Sequence, residues 1–150
     1  MVILDDETTF NAATFIWTAG VKGEIIKGLP VEVWNRQNRI KVDDFNRVQS
    51  LKNVFAVGDF AYMNTPKVPN GHPMLAQSTI QQGKALSENL LRTIHKKPMI
   101  AFEYRDKGIM ATIGKKRAIA AIKKHQFSGH FAWFIWSFVH LMGIIGVKKS

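Results

Sequence analysis

The stretch VFAVGDFAYMNTPKVPNGHPMLAQSTIQQG, at residues 54–83, most constrains what this chain can fold into. Its first four residues form an apolar run that predicts a buried strand, and the run ends abruptly at Gly58-Asp59. A loop rich in Pro, Asn and Gly follows, and a helix is predicted from about Met74. A carboxylate at a strand end beside a helix N-terminus is typical of a cradle for a polar cofactor, because the free N–H groups there favour an electron-rich group.

The predicted helix continues to about His95. Its polar residues at helical spacing form one face, made of Gln77, Gln81, Lys84 and Glu88. Small and apolar residues are expected to pack inward, namely Ala76, Ile80, Gly83 and Leu90. From the residues alone, a solvated helix face also explains the polar line, and an ordinary turn or cap residue also explains Asp59.

Several segments of the chain carry a resemblance to a known family, and they occur in the family's order. They are FIWTAGV, VFAVGD, PMLAQSTIQQG, GIMATIGKKRAIA and FAWFIWSFVHLMGIIGVKK. The set resembles the type II NADH dehydrogenases, the single-subunit flavoproteins that reduce quinone without pumping protons. The resemblance covers almost the whole chain.

The resemblance implies an α/β fold that is the C-terminal portion of a flavoprotein with two dinucleotide-binding domains. Residues 1–20 would end the nicotinamide-binding domain, and residues 21–97 would form the C-terminal part of the FAD-binding domain. Residues 98–150 would form a small, truncated α+β region associated with membrane and quinone. The chain contains no GxGxxG loop, so we interpret it as part of a larger flavoprotein rather than a natural small protein built on half of the fold.

The resemblance also assigns the cofactor site. Gly58 would allow close backbone approach, and Asp59 would accept a hydrogen bond from the FAD ribityl chain. The helix start at Ala76-Gln77 would lie beside the pyrimidine ring of the flavin. Lys148 matches a family lysine that approaches flavin and quinone, although its neighbour Lys149 competes for that match.

The quinone site follows from the same resemblance. Gln77 and Gln81 would line the quinone pocket as the catalytic pair and hydrogen-bond a quinone carbonyl. NADH would be the other substrate, with its main site outside this chain. No metal site is predicted, and the chain contains no Cys, which excludes a disulfide framework, a zinc-thiolate site and a redox-active dithiol.

Charge is concentrated in the C-terminal third. The net charge is +10, and residues 98–150 hold nine Lys/Arg against two acids. Residues 131–147 contain no Lys, Arg, Asp or Glu and include two Trp, which favours a helix lying in a membrane interface over a buried core helix. Before it, residues 100–104 and 108–113 are predicted to form a hairpin, and the basic cluster at 115–117 is predicted to be a solvated turn.

We therefore expect part of an enzyme that oxidises NADH and reduces membrane quinone through FAD, with the isolated chain inactive. Its expected location is the cytoplasmic face of the inner (plasma) membrane, bound peripherally to an anionic surface, and the resemblance implies a homodimer. One alternative is a non-enzymatic membrane-surface module, and another is a different FAD-dependent quinone or ferredoxin-type reductase. Nucleic-acid binding is ranked last, because the basic residues flank apolar runs instead of alternating with exposed aromatics.

Overall fold

The computed structural model describes residues 1–18, 20–66, 68–122 and 124–145, with side chains to residue 143. Its elements in chain order are β1 (Val2–Ile3), β2 (Thr9–Phe10), β3 (Ile40–Val42), β4 (Ala61–Met63), α1 (Ala76–Ile94), β5 (Ile109–Thr112), β6 (Ala118–Ile122), β7 (His125–Ser128) and α2 (Gly129–Ile145). Strands β1 and β2 pair antiparallel, β3 and β4 pair parallel, and β5, β6 and β7 form an antiparallel sheet in that order. The predicted α/β class is confirmed.

The main core lies around the parallel pair β3–β4. Ile40 pairs with Ala61 and Val42 with Met63, and all four side chains are buried. The alternation of Arg39-Ile40-Lys41-Val42 in the sequence predicts a half-exposed strand; the strand is present, but Arg39 is buried and Lys41 is half-buried. Further buried residues complete the cluster, namely Val33, Val48 and Phe102.

Two predicted strands are wrong in the described chain. Residues 54–57 are extended but carry a single bridge, between Arg47 and Phe55, and Val54 is exposed. Their backbone bonds reach only one neighbour, from the Val48 N–H to the Val54 carbonyl and from the Ala56 N–H to the Asn46 carbonyl. The β-branched and aromatic run Thr14-Phe15-Ile16-Trp17 also predicts a strand, but it forms no ladder among the described residues.

Helix α1 confirms the predicted helix and begins at Ala76. The expected inward face is wrong, however, because polar side chains are the buried ones: Ser78, Gln82 and Asn89. Ile80 and Leu90 are exposed, and nothing lies within 4 Å of a Cβ built on Gly83. Several polar side chains of α1 therefore face the protein, whereas Lys84 and Glu88 of the predicted polar face are exposed.

Three carboxamide side chains of α1 face a neighbouring segment of the chain instead of solvent. We call them the carboxamide ladder: Gln77, Gln81 and Asn89. Each one binds the extended backbone of residues 100–108 at two points. Asn89 donates to the Ile100 carbonyl and accepts from the Ile100 N–H, both at 2.8 Å. Gln81 does the same with Arg105, at 2.9 and 3.0 Å. The helix thus supplies the hydrogen bonds that a neighbouring strand would give, so that the polar groups are satisfied.

The C-terminal hairpin differs from the predicted one. Residues 109–112 are a strand as expected, but β5 pairs with β6 and not with residues 100–104, which lie against α1. The turn of the hairpin contains the basic residues 115–117, all exposed, as predicted.

Helix α2 packs on the β5–β6–β7 sheet through small residues, with Ala132 against Ala118 and Ala120. Its outer face is apolar and exposed, and we call it the aromatic face: Phe131, Phe134, Phe138, Leu141 and Met142. Within the described ranges, neither helix is both long and apolar enough to cross a membrane.

The carboxamide ladder predicts that Asn89→Ala destabilises the protein by about 2 kcal/mol, because the backbone N–H and carbonyl of Ile100 lose their partners. Urea titration of the free energy of unfolding measures the loss. Asn11→Ala, at an exposed position, is the control and should change it by less than about 0.5 kcal/mol. Equal losses in the two variants would contradict the ladder's role.

Candidate functional site

The Gly58-Asp59 turn is the centre of the candidate site. It begins a short 3-10 turn, Gly58–Phe60, that leads directly into β4. Gly58 is buried with φ +75°, which L side chains rarely adopt, and a Cβ there would lie 2.9 Å from the Thr79 methyl group. Glycine is therefore required on both conformational and steric grounds, and the turn is pressed against α1.

Two buried side chains fix the turn at its ends. At one end, the Gly58 N–H donates to Gln82 Oε1 at 2.6 Å, and Gln82 is 1% exposed. At the other end, Arg39 Nε donates to the Asp59 carbonyl at 2.9 Å. The dipeptide that carries the carboxylate is thus held from both sides, by α1 and by the residue preceding β3.

Arg39 joins three segments through one guanidinium. Besides the Asp59 carbonyl, its Nη2 donates to the Ala61 carbonyl at 2.6 Å and to the His72 carbonyl at 3.1 Å. Arg39 is 4% exposed, and burial lowers the pKa of its guanidinium below the ordinary value, a shift that the nearby Asp59 charge opposes. An arginine remains charged in proteins, so the three carbonyls replace its hydration.

The Asp59 carboxylate and the start of α1 are left available. Asp59 is exposed and accepts no hydrogen bond from the described residues. Leu75 caps α1 without a side-chain bond, and no acidic residue lies in the first turn. Ser78 and Thr79 already bond their N–H groups to the Leu75 carbonyl, so the first N–H groups, of Ala76 and Gln77, are the ones open to a ligand.

These groups fit a cofactor that has both hydroxyls and an electron-rich end. A carboxylate accepts from hydroxyl groups, and a free helix N-terminus favours an acceptor or partial negative charge. Because Gly58 has no Cβ, the backbone of the turn packs closely against Thr79 of α1, beside these groups. The residues present therefore fit the FAD that the sequence predicts.

The two predicted quinone residues lie on another side of the helix. Gln77 donates to the Gly108 carbonyl at 2.9 Å and accepts from the Lys107 N–H at 3.1 Å, as part of the carboxamide ladder. Gln81 binds Arg105 in the same way and retains one N–H and one lone pair. Beyond Gln81, a cleft of about 540 Å³ opens between α1 and residues 100–105. Lys148 lies outside the described residues.

Sequence reasoning missed Arg39 and Gln82. Adjacent helical residues point about 100° apart, so Gln81 and Gln82 could not share a face, and this spacing was an available signal. Arg39 opens an alternating strand, and its sequence context resembles that of an exposed charge. Its burial depends on carbonyls 20 or more positions away in the chain.

His72 is a further buried group beside the site. It is 3% exposed, packs edge-on against Phe102 and has no hydrogen-bond partner for either ring nitrogen among the described residues. Burial and, to a smaller degree, the charge of Arg39 lower the pKa of His72 below its ordinary 6.5. The ring is therefore neutral at physiological pH.

A known protein family matches more than half of the chain. Residues 1–83 match the model of the pyridine nucleotide-disulphide oxidoreductase family. Because the match covers more than half of the chain, this chain belongs to that family.

Within that class, relatives of this chain include type II NADH:quinone oxidoreductases. The chain is 34% identical over 151 residues to the type II NADH:quinone oxidoreductase Ndh of Mycobacterium tuberculosis, covering 93% of this chain and 30% of the relative. It is 29% identical over 167 residues to the mitochondrial internal alternative NAD(P)H-ubiquinone oxidoreductase A1 of Arabidopsis thaliana, covering 99% of this chain and 32% of the relative. These matches confirm the predicted resemblance, and the chain spans about a third of the length of these relatives.

A solved structure shows the same fold. The structure of NDH2 from Plasmodium falciparum in complex with NADH aligns with a TM-score of 0.62 at 18% identity, covering 71% of this chain and 36% of that one.

The geometry of the turn predicts that Gly58→Ala destabilises the protein more than Gly114→Ala does. Both glycines have φ near +70°, but nothing lies within 4 Å of a Cβ at Gly114. Strain alone costs about 1 kcal/mol, and the contact with Thr79 should add at least about 1 kcal/mol at Gly58. Denaturant titration measures both losses.

A second substitution identifies the cause. Thr79→Ser removes the methyl group nearest Gly58, so it should recover part of the Gly58→Ala loss and none of the Gly114→Ala loss. Equal losses for the two glycines, or no recovery, would contradict the steric argument.

Proposed function

We propose that this chain is the C-terminal portion of a flavoprotein that oxidises NADH and reduces a membrane quinone. One observation carries the proposal: a free carboxylate, Asp59, is held on a rigid turn beside the open N-terminus of α1. The family membership and the names of the relatives support FAD as cofactor, with NADH and quinone as substrates.

The domain boundaries belong to the same proposal. Residues 1–20 would end the nicotinamide domain, residues 21–97 would complete the FAD domain, and residues 98–150 would contact quinone and membrane. The exposed apolar side chains at 15–17 and along α1 support this division, because surfaces of this kind are expected to be covered by further chain.

FAD, when bound, supplies the hydride acceptor and delivers two electrons to quinone. The chain's own residues hold it. Asp59 would accept a hydrogen bond from the ribityl hydroxyls, and the N–H groups of Ala76 and Gln77 would stabilise electron density at the pyrimidine end of the ring. Gly58 keeps side-chain bulk away from the turn.

Quinone would bind at the glutamines of the ladder. Gln81 retains one N–H beyond its two bonds to Arg105, and that N–H can donate to a quinone carbonyl. Gln77 lies one helical turn nearer the flavin end of the helix, and its carboxamide is held by the Lys107 N–H and the Gly108 carbonyl. Residues 105–108 thereby fix the rotamers of both side chains. Gln81 supplies the free N–H for an incoming carbonyl, because the second N–H of Gln77 points to Asp106 Oδ1 at 3.5 Å.

The C-terminal region would dock on the cytoplasmic surface of an anionic inner membrane. The aromatic face of α2 leaves large apolar side chains exposed, with Phe131, Phe134 and Phe138 each more than 60% exposed. The exposed basic turn at 115–117 lies at the start of the same helix, because Ala118 bridges to Gly129. Apolar insertion and attraction to anionic lipid would act together. A homodimer through the same region belongs to this proposal, and sedimentation of the full-length protein that gives a monomer mass would exclude it.

The flavin proposal is tested in the full-length protein that contains this chain. We expect a visible flavin spectrum that NADH bleaches and a quinone restores. Asp59→Ala should lose at least about nine-tenths of the bound flavin, whereas Asp5→Ala, at an exposed turn, should keep it. Gln81→Leu should keep the flavin and lower quinone turnover at least about ten-fold, with a soluble electron acceptor still reduced.

Two outcomes would overturn this proposal. A colourless full-length protein would remove the enzyme and leave the membrane-surface module. Equal loss of quinone turnover in Asn89→Ala, which breaks another rung of the ladder away from the flavin end, would show that Gln81 acts only through folding.

The membrane proposal predicts that Phe134→Glu weakens binding to phosphatidylglycerol vesicles at least about ten-fold, because one buried phenyl ring is lost from the contact. Vesicle co-sedimentation of the full-length protein measures this binding, which should also fall with added salt. Ile119→Glu is the matched control, since Ile119 is 50% exposed on the sheet face away from α2. Equal weakening by both substitutions would rule out docking through the aromatic face.

A further inference from the structure

We propose that Arg39 and Gln82 are positioning residues for the flavin: they clamp the two ends of the Gly58-Asp59 dipeptide and thereby set the place of the Asp59 carboxylate. The inference rests on the proposed role of Asp59. It goes beyond that role because neither side chain is expected to touch the cofactor, since both are at most 4% exposed.

The clamp acts on the two backbone groups that define the dipeptide. The Gly58 N–H is its first polar group and the Asp59 carbonyl is its last. The first donates to Gln82 Oε1 at 2.6 Å, and the second accepts from Arg39 Nε at 2.9 Å. With both groups fixed and Gly58 pressed against Thr79, the carboxylate has only its own side-chain torsions left to vary.

Arg39 also sets where the helix begins relative to the carboxylate. The carbonyl of His72, which its Nη2 binds, belongs to the loop that enters α1. One guanidinium therefore holds the turn that carries Asp59 and the loop that delivers the N–H groups of Ala76 and Gln77. These are the two halves of the proposed flavin cradle, so their separation depends on Arg39.

Arg39 connects three segments of the fold, but stability alone does not explain why this residue is an arginine. A buried charge loses its hydration, and apolar residues of similar volume often serve stability as well or better. Arg39 is satisfied here by backbone carbonyls at fixed angles, which a planar guanidinium matches and a lysine ammonium does not. The guanidinium therefore fixes the positions of the Asp59, Ala61 and His72 carbonyls, and with them the shape of the Gly58-Asp59 turn.

A double-mutant cycle on FAD affinity tests the proposal in the full-length protein. The FAD dissociation constant is measured for the unchanged protein, Arg39→Lys, Asp59→Asn and the double variant. Because Arg39 also holds the loop before Ala76 and Gln77, Arg39→Lys should weaken FAD binding about ten-fold in the unchanged protein and less, about three-fold, in the Asp59→Asn background. Gln82→Leu should behave in the same way in its own cycle.

Controls separate positioning from folding. Arg47→Lys changes an exposed arginine that pairs with Asp43 at 2.7 Å, and it should leave FAD affinity unchanged. The thermal midpoint of each FAD-free variant is recorded beside its affinity, since a purely structural role would lower this midpoint and leave the coupling near zero. If Arg39→Lys does not fold, the Gln82→Leu cycle decides, with Gln37→Leu at an exposed position as its control.

Each outcome has a distinct meaning. An equal fold-loss of affinity in both backgrounds would overturn the positioning role while leaving Asp59 as a flavin ligand. An Asp59→Asn variant with unchanged FAD affinity would overturn the proposed role of Asp59 itself, and the inference with it. Loss of affinity that depends on Asp59 would establish the clamp.

Discussion

The contact on which this structure most depends is the fan of hydrogen bonds from the Arg39 guanidinium to three backbone carbonyls. It connects the start of β3 with the turn before β4 and with the loop that enters α1. Removing it would take one donor from each of the Asp59, Ala61 and His72 carbonyls, and a buried polar group left unsatisfied costs about 1–3 kcal/mol. Arg39 therefore holds the β3–β4 pair, the Gly58-Asp59 turn and the loop before α1 in fixed positions relative to one another.

Elsewhere in the fold, neutral side chains also bind backbone groups, as the Arg39 guanidinium does. Where a complete sheet would provide strand partners, α1 provides carboxamides, and residues 100–108 use them as an edge. Apolar burial is small by comparison and is concentrated around β3 and β4 and under α2. Paired polar groups thus hold α1 against its neighbours, while much of the apolar surface of the described chain, as at Ile80 and Trp17, faces outward.

The local sequence pattern predicted where helices and strands lie better than it predicted which segments pack against them. The helix, the strand at β3 and the solvated basic turn follow from periodicity and turn residues, and each is present. The strands expected at 14–17 and 54–57 have the right composition, but a ladder requires a partner, and composition does not report one. The inward face of α1 was assigned by hydrophobicity, yet the segment it meets presents backbone carbonyls and N–H groups. The same limit applies to the site: the Asp59 turn is visible in the sequence, whereas Arg39 acquires its role only through contacts distant in the chain.

The carboxamide ladder has a consequence for hydrogen exchange. The N–H groups of Ile100, Arg105 and Lys107 are bound to side-chain oxygens of one helix face and belong to no sheet. The Ile100 bond is partly buried, so its N–H is expected to exchange with solvent when α1 and residues 100–108 separate, because no strand end there can fray. The exchange rate of the Ile100 N–H therefore reports the free energy with which α1 docks on residues 100–108, although that segment has no regular secondary structure.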